Sequence, residues 1–414
     1  MTSRIFGWKW SALWLVAALI VAVLATSQRT VGQISTGDGS DGPLTLTTPG
    51  TVDLSSLGKD PDRDNVYNFT TINIGSGVTL TMSGQKIDGP VAFLSQGDVV
   101  IAGTMDLRGG NGHPSTSIPS LRLPSIPGPG GYPGGVGGDL INAAQPGGGP
   151  AGGSAGNGTA NGAHGGGFSG NSFLVPLVGG SGGGGQRAGC GFCTTDGGGA
   201  GGGAILVASS TSITVSGSIL ASGGGPGNPD SVNQPQGNSF CAGGGSGGAV
   251  RLVAPVLKGS GTINVSRGFA IGGATATGGT VRLEAFQNLS GLSALGGATV
   301  RASPTALALG PHPSLRVVSI GGFAVPASPT GSFTVPDVTI NTPSPVPVNI
   351  EARNIPAGTI VRLLVFSESA PDMVLDTPGL VAQGADGLLT TSISVTFPTG
   401  YSRGFAKASY TQQF

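Results

Sequence analysis

The chain is poor in charge and in aromatic side chains, which make up 9% and 5% of its 414 residues. The 19 basic and 19 acidic residues balance each other and form no basic stripe. Nucleic-acid binding requires such a stripe to neutralise phosphates, so the sequence predicts no nucleic-acid partner. Disordered chains usually carry more charge and less apolar surface than this chain, which is 38% hydrophobic. The composition therefore predicts a folded core built from small aliphatic side chains.

Only one long apolar run is present, at residues 11–25, and it follows the basic residues Arg4 and Lys9. Val23 and Ala25 suit the positions before a signal-peptidase site, so residues 1–25 are predicted to be a secretory signal peptide. A retained membrane anchor is the alternative, but a spanning helix needs about 20 apolar residues. We therefore expect an extracellular or cell-surface protein with no membrane span after signal cleavage.

Glycine is abundant, with 80 residues, but there is no Gly-X-Y period and hence no collagen helix. The richest segment, residues 108–203, is long for a loop in a compact domain. Two interpretations stay open: the segment is disordered, or its glycines pack as extended threads. The second is physically possible because chains without side chains can approach closely and hydrogen-bond sideways.

A repeated motif gives the strongest indication of fold. The pattern Gly-Gly-small-aliphatic opens a strand at residues 202–208, and it returns at 247–254 and 278–285. Period-2 alternation within and after these strands is typical of half-buried β-structure. Stacking the repeats would bury the alternate aliphatic residues, namely Ile205, Val207, Ile213, Val215 and Ile219.

The predicted fold class is all-β, with a right-handed parallel β-helix followed by a small immunoglobulin-like β-sandwich. The β-helix would comprise residues 34–107 and 204–301, with 108–203 as a long glycine-rich insertion. A Pro-rich linker is predicted at 302–336, and the sandwich at 337–414. A single β-sandwich with long loops is the alternative, although it would not explain the returning motif.

Several motifs together resemble a family of glycine-rich secreted bacterial β-helix surface proteins of unassigned function, similar to filamentous-haemagglutinin-type proteins. The resemblance covers residues 34–300 and rests on GDGSDG at 37–42, FTTINI at 69–74, GDVVIAGT at 97–104 and the Gly-Gly-Ala repeats. It implies an exported surface protein. The motifs carry no known catalytic residues, so the resemblance implies fold and location rather than an activity.

The three cysteines are an odd number for an exported protein. Cys193 and Cys241 each precede a Gly-Gly-Ala strand, and equivalent positions on stacked repeats would lie within disulfide range. We predict a Cys193–Cys241 disulfide, with Cys190–Cys241 as the close alternative and free or intermolecular thiols as the third possibility. The histidines His113, His164 and His312 are scattered along the chain, which argues against a zinc site.

Aspartates in turns are the candidate ligands for calcium. Asp38 and Asp41 lie at the start of the fold, and Asp139 lies in a nonapeptide that fits a calcium-roll pattern once. A second cluster comprises Asp60, Asp62 and Asp64. The competing interpretation of each is an ordinary solvated turn aspartate. No cofactor is predicted beyond this calcium.

The sequence predicts a structural or adhesive protein that is not an enzyme. Carbohydrate-active enzymes need clustered carboxylates or bases, whereas Asp98, Asp106 and Glu284 are isolated in the chain. Arg251 and Arg282 occupy similar places in neighbouring repeats and are interpreted as a stacked surface row. Glycans or an extracellular matrix are the expected partners. The alternatives are a polysaccharide lyase or hydrolase with an unrecognised site, or a glycan- or ice-binding module.

Overall fold

The computed structural model describes residues 34, 36–60, 64–113, 122–139, 142–157, 162–187, 196–227, 242–269, 276–307, 309, 313–327, 329, 335–383 and 387–410. Within these residues the protein is all-β, and the one helical element is a short 3-10 helix at Leu54–Leu57. The strands belong to four sheets, two of them parallel and two antiparallel. The predicted signal peptide lies outside the described residues.

The larger parallel sheet has nine strands in the order β15-β13-β11-β8-β5-β3-β6-β9, with β1 beside β3. These strands are β1 (Gly42–Leu46), β3 (Val66–Ile74), β5 (Val91–Ser95), β6 (Val99–Ile101), β8 (Ala204–Ser209), β9 (Ser212–Val215), β11 (Ala249–Lys258), β13 (Thr280–Asn288) and β15 (Ala298–Ala302). Long strands such as β11 pair with both β8 and β9, so one strand spans what two shorter strands cover in the preceding repeat.

The smaller parallel sheet has six strands in the order β14-β12-β10-β7-β4-β2. They are β2 (Gly50–Asp53), β4 (Val78–Thr81), β7 (Thr104–Asp106), β10 (Ser218–Leu220), β12 (Thr262–Asn264) and β14 (Ser293–Leu295). The inward residues of both sheets share one aliphatic core, because alternate residues of a strand point to the same face. Three aromatic rings, Tyr67, Phe69 and Phe93, fill its early part with ring centroids 5.3–6.1 Å apart.

The repeated strands are direct neighbours in the register that the motif predicts. Ile205 pairs with Val250, and Val250 pairs with Val281. The side chains of Ile205, Val207, Ile213, Val215 and Ile219 are all fully buried. This part of the sequence analysis is confirmed: no single repeat could close this interior, and stacking closes it.

The glycine-rich segments form a hydrogen-bonded lattice of extended threads, which we call the glycine lattice. Its threads are residues 107–113, 132–138, 145–156, 162–168, 179–187, 196–203, 221–227 and 242–248. Three consecutive amides show the pattern: Gly183, Gly184 and Gly185 donate to the carbonyls of Gly199, His164 and Gln145, each at 2.9 Å. Successive residues of one thread therefore bond to three different neighbouring threads. This is the pattern expected of a polyproline II backbone, which has three residues per turn.

The predicted fold class is wrong beyond its all-β character. The parallel strands lie in two separate sheets, and the remaining side of the later repeats is a glycine thread instead of a strand. Residues 108–203 leave the stack between β7 and β8, because β5 pairs directly with β8 and β7 with β10, but they do not form a separate unit. Their threads bond to those of later repeats, as when Gly199 donates to the Gly243 carbonyl at 2.9 Å. Glycine explains the difference. Because these residues have no Cβ, the threads lie closer together than strands that carry side chains could.

The C-terminal part consists of two antiparallel sheets rather than the immunoglobulin-like unit predicted for residues 337–414. One sheet has five strands, ordered β17-β16-β18-β22-β21, and the other has three, ordered β20-β19-β23. The strands are β16 (Ser314–Ile320), β17 (Phe323–Ala324), β18 (Val346–Arg353), β19 (Val361–Ser367), β20 (Met373–Asp376), β21 (Val381–Gln383), β22 (Leu388–Val395) and β23 (Ser402–Ala408). The strands β16 and β17 lie in the segment predicted as linker, and β16 pairs with β18.

An ion pair ties these sheets to the glycine-rich part. Arg122 lies 3.0 Å from a carboxylate oxygen of Asp372, and both side chains are 8% exposed. Burial raises the pKa of Asp372, and the attraction of Arg122 offsets part of that rise. Asn142 also accepts a hydrogen bond from the Asp372 amide at 3.1 Å. Among the described residues, buried polar contacts therefore anchor the antiparallel sheets to the glycine-rich part.

Candidate functional site

The outer face of the six-stranded sheet carries a row of hydroxyl side chains, one from each strand. We call this row the hydroxyl ladder. Register places its members side by side across the whole sheet. Its members are Thr51, Thr79, Thr104, Ser218, Thr262 and Ser293. Because neighbouring strands are about 4.8 Å apart, the hydroxyls repeat at that interval along the stack.

The ladder faces outward because the next residue of each strand faces inward. The inward row consists of Val52, Leu80, Met105, Ile219, Ile263 and Ala294, all of which belong to or pack against the aliphatic core. Four of these, Leu80, Met105, Ile219 and Ile263, are fully buried. Polar–apolar alternation therefore fixes which side chains reach the surface.

The ladder hydroxyls are available to a ligand. Within the described part of the chain, none of the six makes a hydrogen bond to another protein group. By contrast, the neighbouring Thr81 hydroxyl donates to the Val52 carbonyl at 3.2 Å. Backbone hydrogen bonds hold the ladder strands together, as when Thr262 and Ser293 donate to the carbonyls of Gly217 and Gly261. The site is thus a fixed backbone bearing free donors and acceptors.

Beside the ladder runs a second outward row with charges that are already paired. Asp53 contacts Lys86 at 2.5 Å, and Asp106 forms two hydrogen bonds with Arg108, at 2.9 and 2.7 Å. Burial favours a raised pKa for Asp53, but the hydrogen bonds from Lys86 and Ser55 outweigh it and lower that pKa. Asp53 is therefore ionised near neutral pH, and both aspartates accept hydrogen bonds from the neighbouring basic side chains.

The arginines predicted to form a surface row are buried, so that interpretation is wrong. Arg251 and Arg282 are adjacent in register, as the repeat indicates, but they are only 2% and 4% exposed. Glu284 lies between them and accepts from both guanidinium groups, at 2.8 and 2.6 Å. Sequence analysis treated Glu284 as isolated, whereas register brings it onto the same face of β13 as Arg282.

This buried cluster holds two surface segments against the nine-stranded sheet. Thr305 donates to Glu284 through its amide at 2.6 Å and through its hydroxyl at 2.8 Å. Arg282 donates to the Ser172 carbonyl at 3.0 Å and lies under the Phe173 ring, 5.2 Å from its centroid. Burial favours a raised pKa for Glu284, but hydrogen bonds from Arg251, Arg282 and Thr305 together lower that pKa. The cluster is structural, since its polar atoms are used internally.

The candidate calcium ligands already accept hydrogen bonds from backbone amides. Asp38 accepts from the Ser40 amide at 2.9 Å, and Asp41 accepts from the Asn68 amide at 2.6 Å. Asp139 accepts from the Asn142 amide at 2.6 Å and lies 3.4 Å from Arg122, a cation that competes with a metal. Among the described residues, no three His, Cys, Asp or Glu side chains converge as a metal site.

The second aspartate cluster also serves the backbone. Asp60 accepts from the amides of Asp64 and Asn65, both at 3.2 Å, and Asp64 accepts from the Val66 amide at 2.8 Å. Asp62 lies outside the described residues. So do Cys190, Cys193, Cys241 and His312, and the disulfide therefore stays a prediction.

A wide cleft between the antiparallel sheets and the glycine-rich part is the place where an enzyme site would be sought. It is lined by Tyr132 and Tyr410 together with five carboxylates: Asp60, Asp88, Asp337, Glu351 and Asp376. Asp376 pairs with Arg362 at 2.7 Å, and Glu351 lies 3.8 Å from Arg316. Each of the five has a polar partner in the described structure.

Comparison with protein-family models, with curated proteins and with solved structures finds no match to this chain. In the described residues no helix has the length and apolar character needed to cross a membrane.

Sequence analysis missed the hydroxyl ladder, although a local signal exists. Four members directly follow a glycine and precede an inward apolar residue: Gly50-Thr51-Val52, Gly103-Thr104-Met105, Gly217-Ser218-Ile219 and Gly261-Thr262-Ile263. The recurrence of glycine, hydroxyl and apolar residue marks the same corner of successive repeats.

Proposed function

We propose that this chain is a non-catalytic adhesive or structural protein that works outside the cytoplasm and uses the hydroxyl ladder as its contact face. One observation carries the proposal: six unbonded hydroxyls lie in register on a sheet whose backbone and core hold them in place. The predicted signal peptide, the low charge and the resemblance to exported surface proteins support the proposed location.

The ladder suits a hydroxyl-rich polymer such as a glycan. Each Thr or Ser hydroxyl both donates and accepts, as sugar hydroxyls do. A repeated spacing lets one extended polymer contact several rungs, so that weak individual bonds act together. Sugar hydroxyls can form the same hydrogen bonds as the surface waters that they displace, which keeps the free-energy cost of desolvation low.

An ice surface is the second candidate, because a regular hydroxyl row also matches a regular water layer. The charged neighbours argue against it. The Asp53–Lys86 and Asp106–Arg108 pairs border the ladder and hold hydration water in arrangements that an ice layer cannot continue. The same aspartates, together with Asn264, are good partners for sugar hydroxyls, so the surface favours a glycan.

The test is binding of the mature chain to a glycan array and to insoluble polysaccharides. The ladder variant combines Thr79→Val, Thr104→Val and Thr262→Val, which remove hydroxyls but keep shape and strand preference. Three lost hydrogen bonds of about 0.5–1.5 kcal/mol each predict roughly a 10- to 1000-fold weaker affinity.

The matched control combines Thr45→Val, Thr71→Val and Thr214→Val on strands of the nine-stranded sheet, and should bind like the wild type. Equal binding by wild type and ladder variant, or no glycan binding by the wild type, would overturn the proposal. Two parallel assays separate the alternatives. Inhibition of ice recrystallisation would indicate ice, and release of reducing sugar would indicate an enzyme.

A further inference from the structure

The two ends of the parallel stack are built differently. At the N-terminal end, the 3-10 helix places Leu54 into the core, where it is 1% exposed. Asp53 caps this helix by accepting from the Ser55 amide at 3.0 Å. At the C-terminal end, β14 and β15 are the last strands of the two parallel sheets. The described residues place no further strand beyond them.

The outer edge of β15 has unpaired backbone groups. Ala298 donates to the Gly279 carbonyl at 3.0 Å, so its amide points toward β13. In a parallel pair, alternate residues direct their N–H and C=O groups to the same side. The amides and carbonyls of Thr299 and Arg301 therefore point away from β13. Neither residue has a hydrogen-bond partner in the described structure, and both are exposed.

Exposed apolar side chains accompany this edge. Leu295 on β14 is 45% exposed, Phe286 on β13 is 47% exposed, and the adjoining Leu289 is 68% exposed. Open strand edges and exposed apolar residues are what natural proteins usually cover, since both promote association. Their occurrence together at the C-terminal end indicates that this end is an interface.

We propose that the C-terminal end of the stack binds a second copy of the chain, with β15 pairing antiparallel to β15 of that copy around a twofold axis. If Val300 faces Val300 of the second copy, Thr299 faces the second copy's Arg301. That pair has its N–H and C=O groups pointing outward and exchanges two hydrogen bonds. The twofold axis generates the same pair again, so four hydrogen bonds form. Sheets from two molecules become continuous.

The side chains also agree with this pairing. Arg301 lies beside the neutral Thr299 of the second copy, so the two guanidinium groups are not directly opposite each other. A self-complementary patch of this kind produces a closed dimer. The terminal strands β1 and β2 at the other end each have one neighbour in the described residues, so head-to-tail stacking is the competing arrangement, whereas pairing of β15 with itself gives a closed dimer. This inference is independent of the hydroxyl ladder and of its ligand.

The experiment is sedimentation equilibrium of the mature chain over a range of concentrations, with a reductant present to exclude disulfide-linked dimers. The wild type should be a dimer. Thr299→Pro removes an outward amide without removing any bond to β13, a position that edge strands tolerate. It should weaken dimerisation at least about tenfold. Thr299→Ala keeps the amide and should remain a dimer.

Arg301→Pro is the second disrupting variant, because its amide also points outward. The melting temperature of each variant shows whether the chain still folds. A wild type that stays monomeric up to the highest concentration would overturn the proposal. A dimer that survives both proline substitutions would do so as well, and filaments would contradict the twofold pairing of β15. Loss of the dimer in folded proline variants, with the alanine variant unaffected, would support it.

Discussion

Gly199 lies where several threads of the glycine lattice meet. Its amide donates to the Gly243 carbonyl at 2.9 Å, and its carbonyl accepts from the Gly183 amide at 2.9 Å. A Cβ at this position would lie inside the contact radius of the Gly224 carbonyl oxygen, which is backbone and cannot rotate away. The threads can therefore lie this close together only because glycine has no Cβ.

We predict that Gly199→Ala destabilises the protein by more than about 4 kcal/mol, the range of severe packing defects. Thermal unfolding of the purified variant checks the result. The control is Gly291→Ala, because a Cβ there meets only Ser260 Cβ, at 3.9 Å. That substitution should change stability by no more than about 0.5 kcal/mol. Equal melting temperatures for the two variants would show that the threads are not packed as described.

Glu284 is the charge on which the buried cluster depends. Replacing it by Gln leaves Arg251 and Arg282 buried without a counter-ion, and breaking a buried pair in this way costs about 3–5 kcal/mol. Urea denaturation at neutral pH should show this loss for Glu284→Gln. Glu351→Gln is the control, since Glu351 and Arg316 form an exposed pair 3.8 Å apart. Its cost should be below about 1 kcal/mol.

The same cluster predicts part of the acid sensitivity. The pKa of Glu284 is lower in the folded protein than its ordinary value of 4.5. A lowered pKa stabilises the fold above the unfolded value, and this stabilisation disappears as the pH falls toward the folded pKa. Wild-type stability should therefore drop below about pH 4.5, and Glu284→Gln should show a smaller drop. An identical acid dependence for both would contradict the role given to Glu284.

At the scale of elements, the threads are held by hydrogen bonds and by hardly any side chains. Gly197, Gly198 and Gly199 donate to three different threads, through the carbonyls of His113, Gly135 and Gly243. A thread can therefore not be released without breaking bonds to several neighbours. Cooperative units of this kind open together, so their amides exchange only in large unfolding events.

We predict slow hydrogen exchange for the threads at 179–187 and 196–203, close to the rate set by global unfolding. Mass spectrometry of peptic fragments measures this directly. The exposed Gly322, in the turn between β16 and β17, gives the rate of an open glycine in the same molecule. If the thread amides exchange as fast as Gly322, the lattice is not stable in solution.

At the scale of the whole molecule, the sequence predicted what depends on repetition. The returning Gly-Gly strands placed Ile205, Val250 and Val281 in adjacent strands, and the alternation predicted which residues are buried. It did not predict the two-sheet arrangement with a glycine side, because extended glycine threads have no side-chain period to detect. The two possibilities for residues 108–203 could be stated, but nothing local decided between them.

The sites were predictable only in part, for reasons of distance along the chain. The hydroxyl ladder joins residues from Thr51 to Ser293, and their alignment depends on register between strands far apart in sequence. Glu284 was identified as an acid but not as the partner of Arg251, since a buried ionic cluster needs covering segments such as that of Thr305. The strand β16 was hidden in a Pro-rich segment whose composition resembles a linker.

The glycine lattice has a consequence for how the gene can change. Every replacement of glycine adds at least a β-carbon, and at many lattice positions that atom would collide with a neighbouring carbonyl group. Most missense mutations in the codons of these threads should therefore be harmful, whereas codons for outward-facing side chains can accept substitutions. New binding specificity would arise through substitutions of side chains on the hydroxyl-bearing face, while the glycine threads stay unchanged.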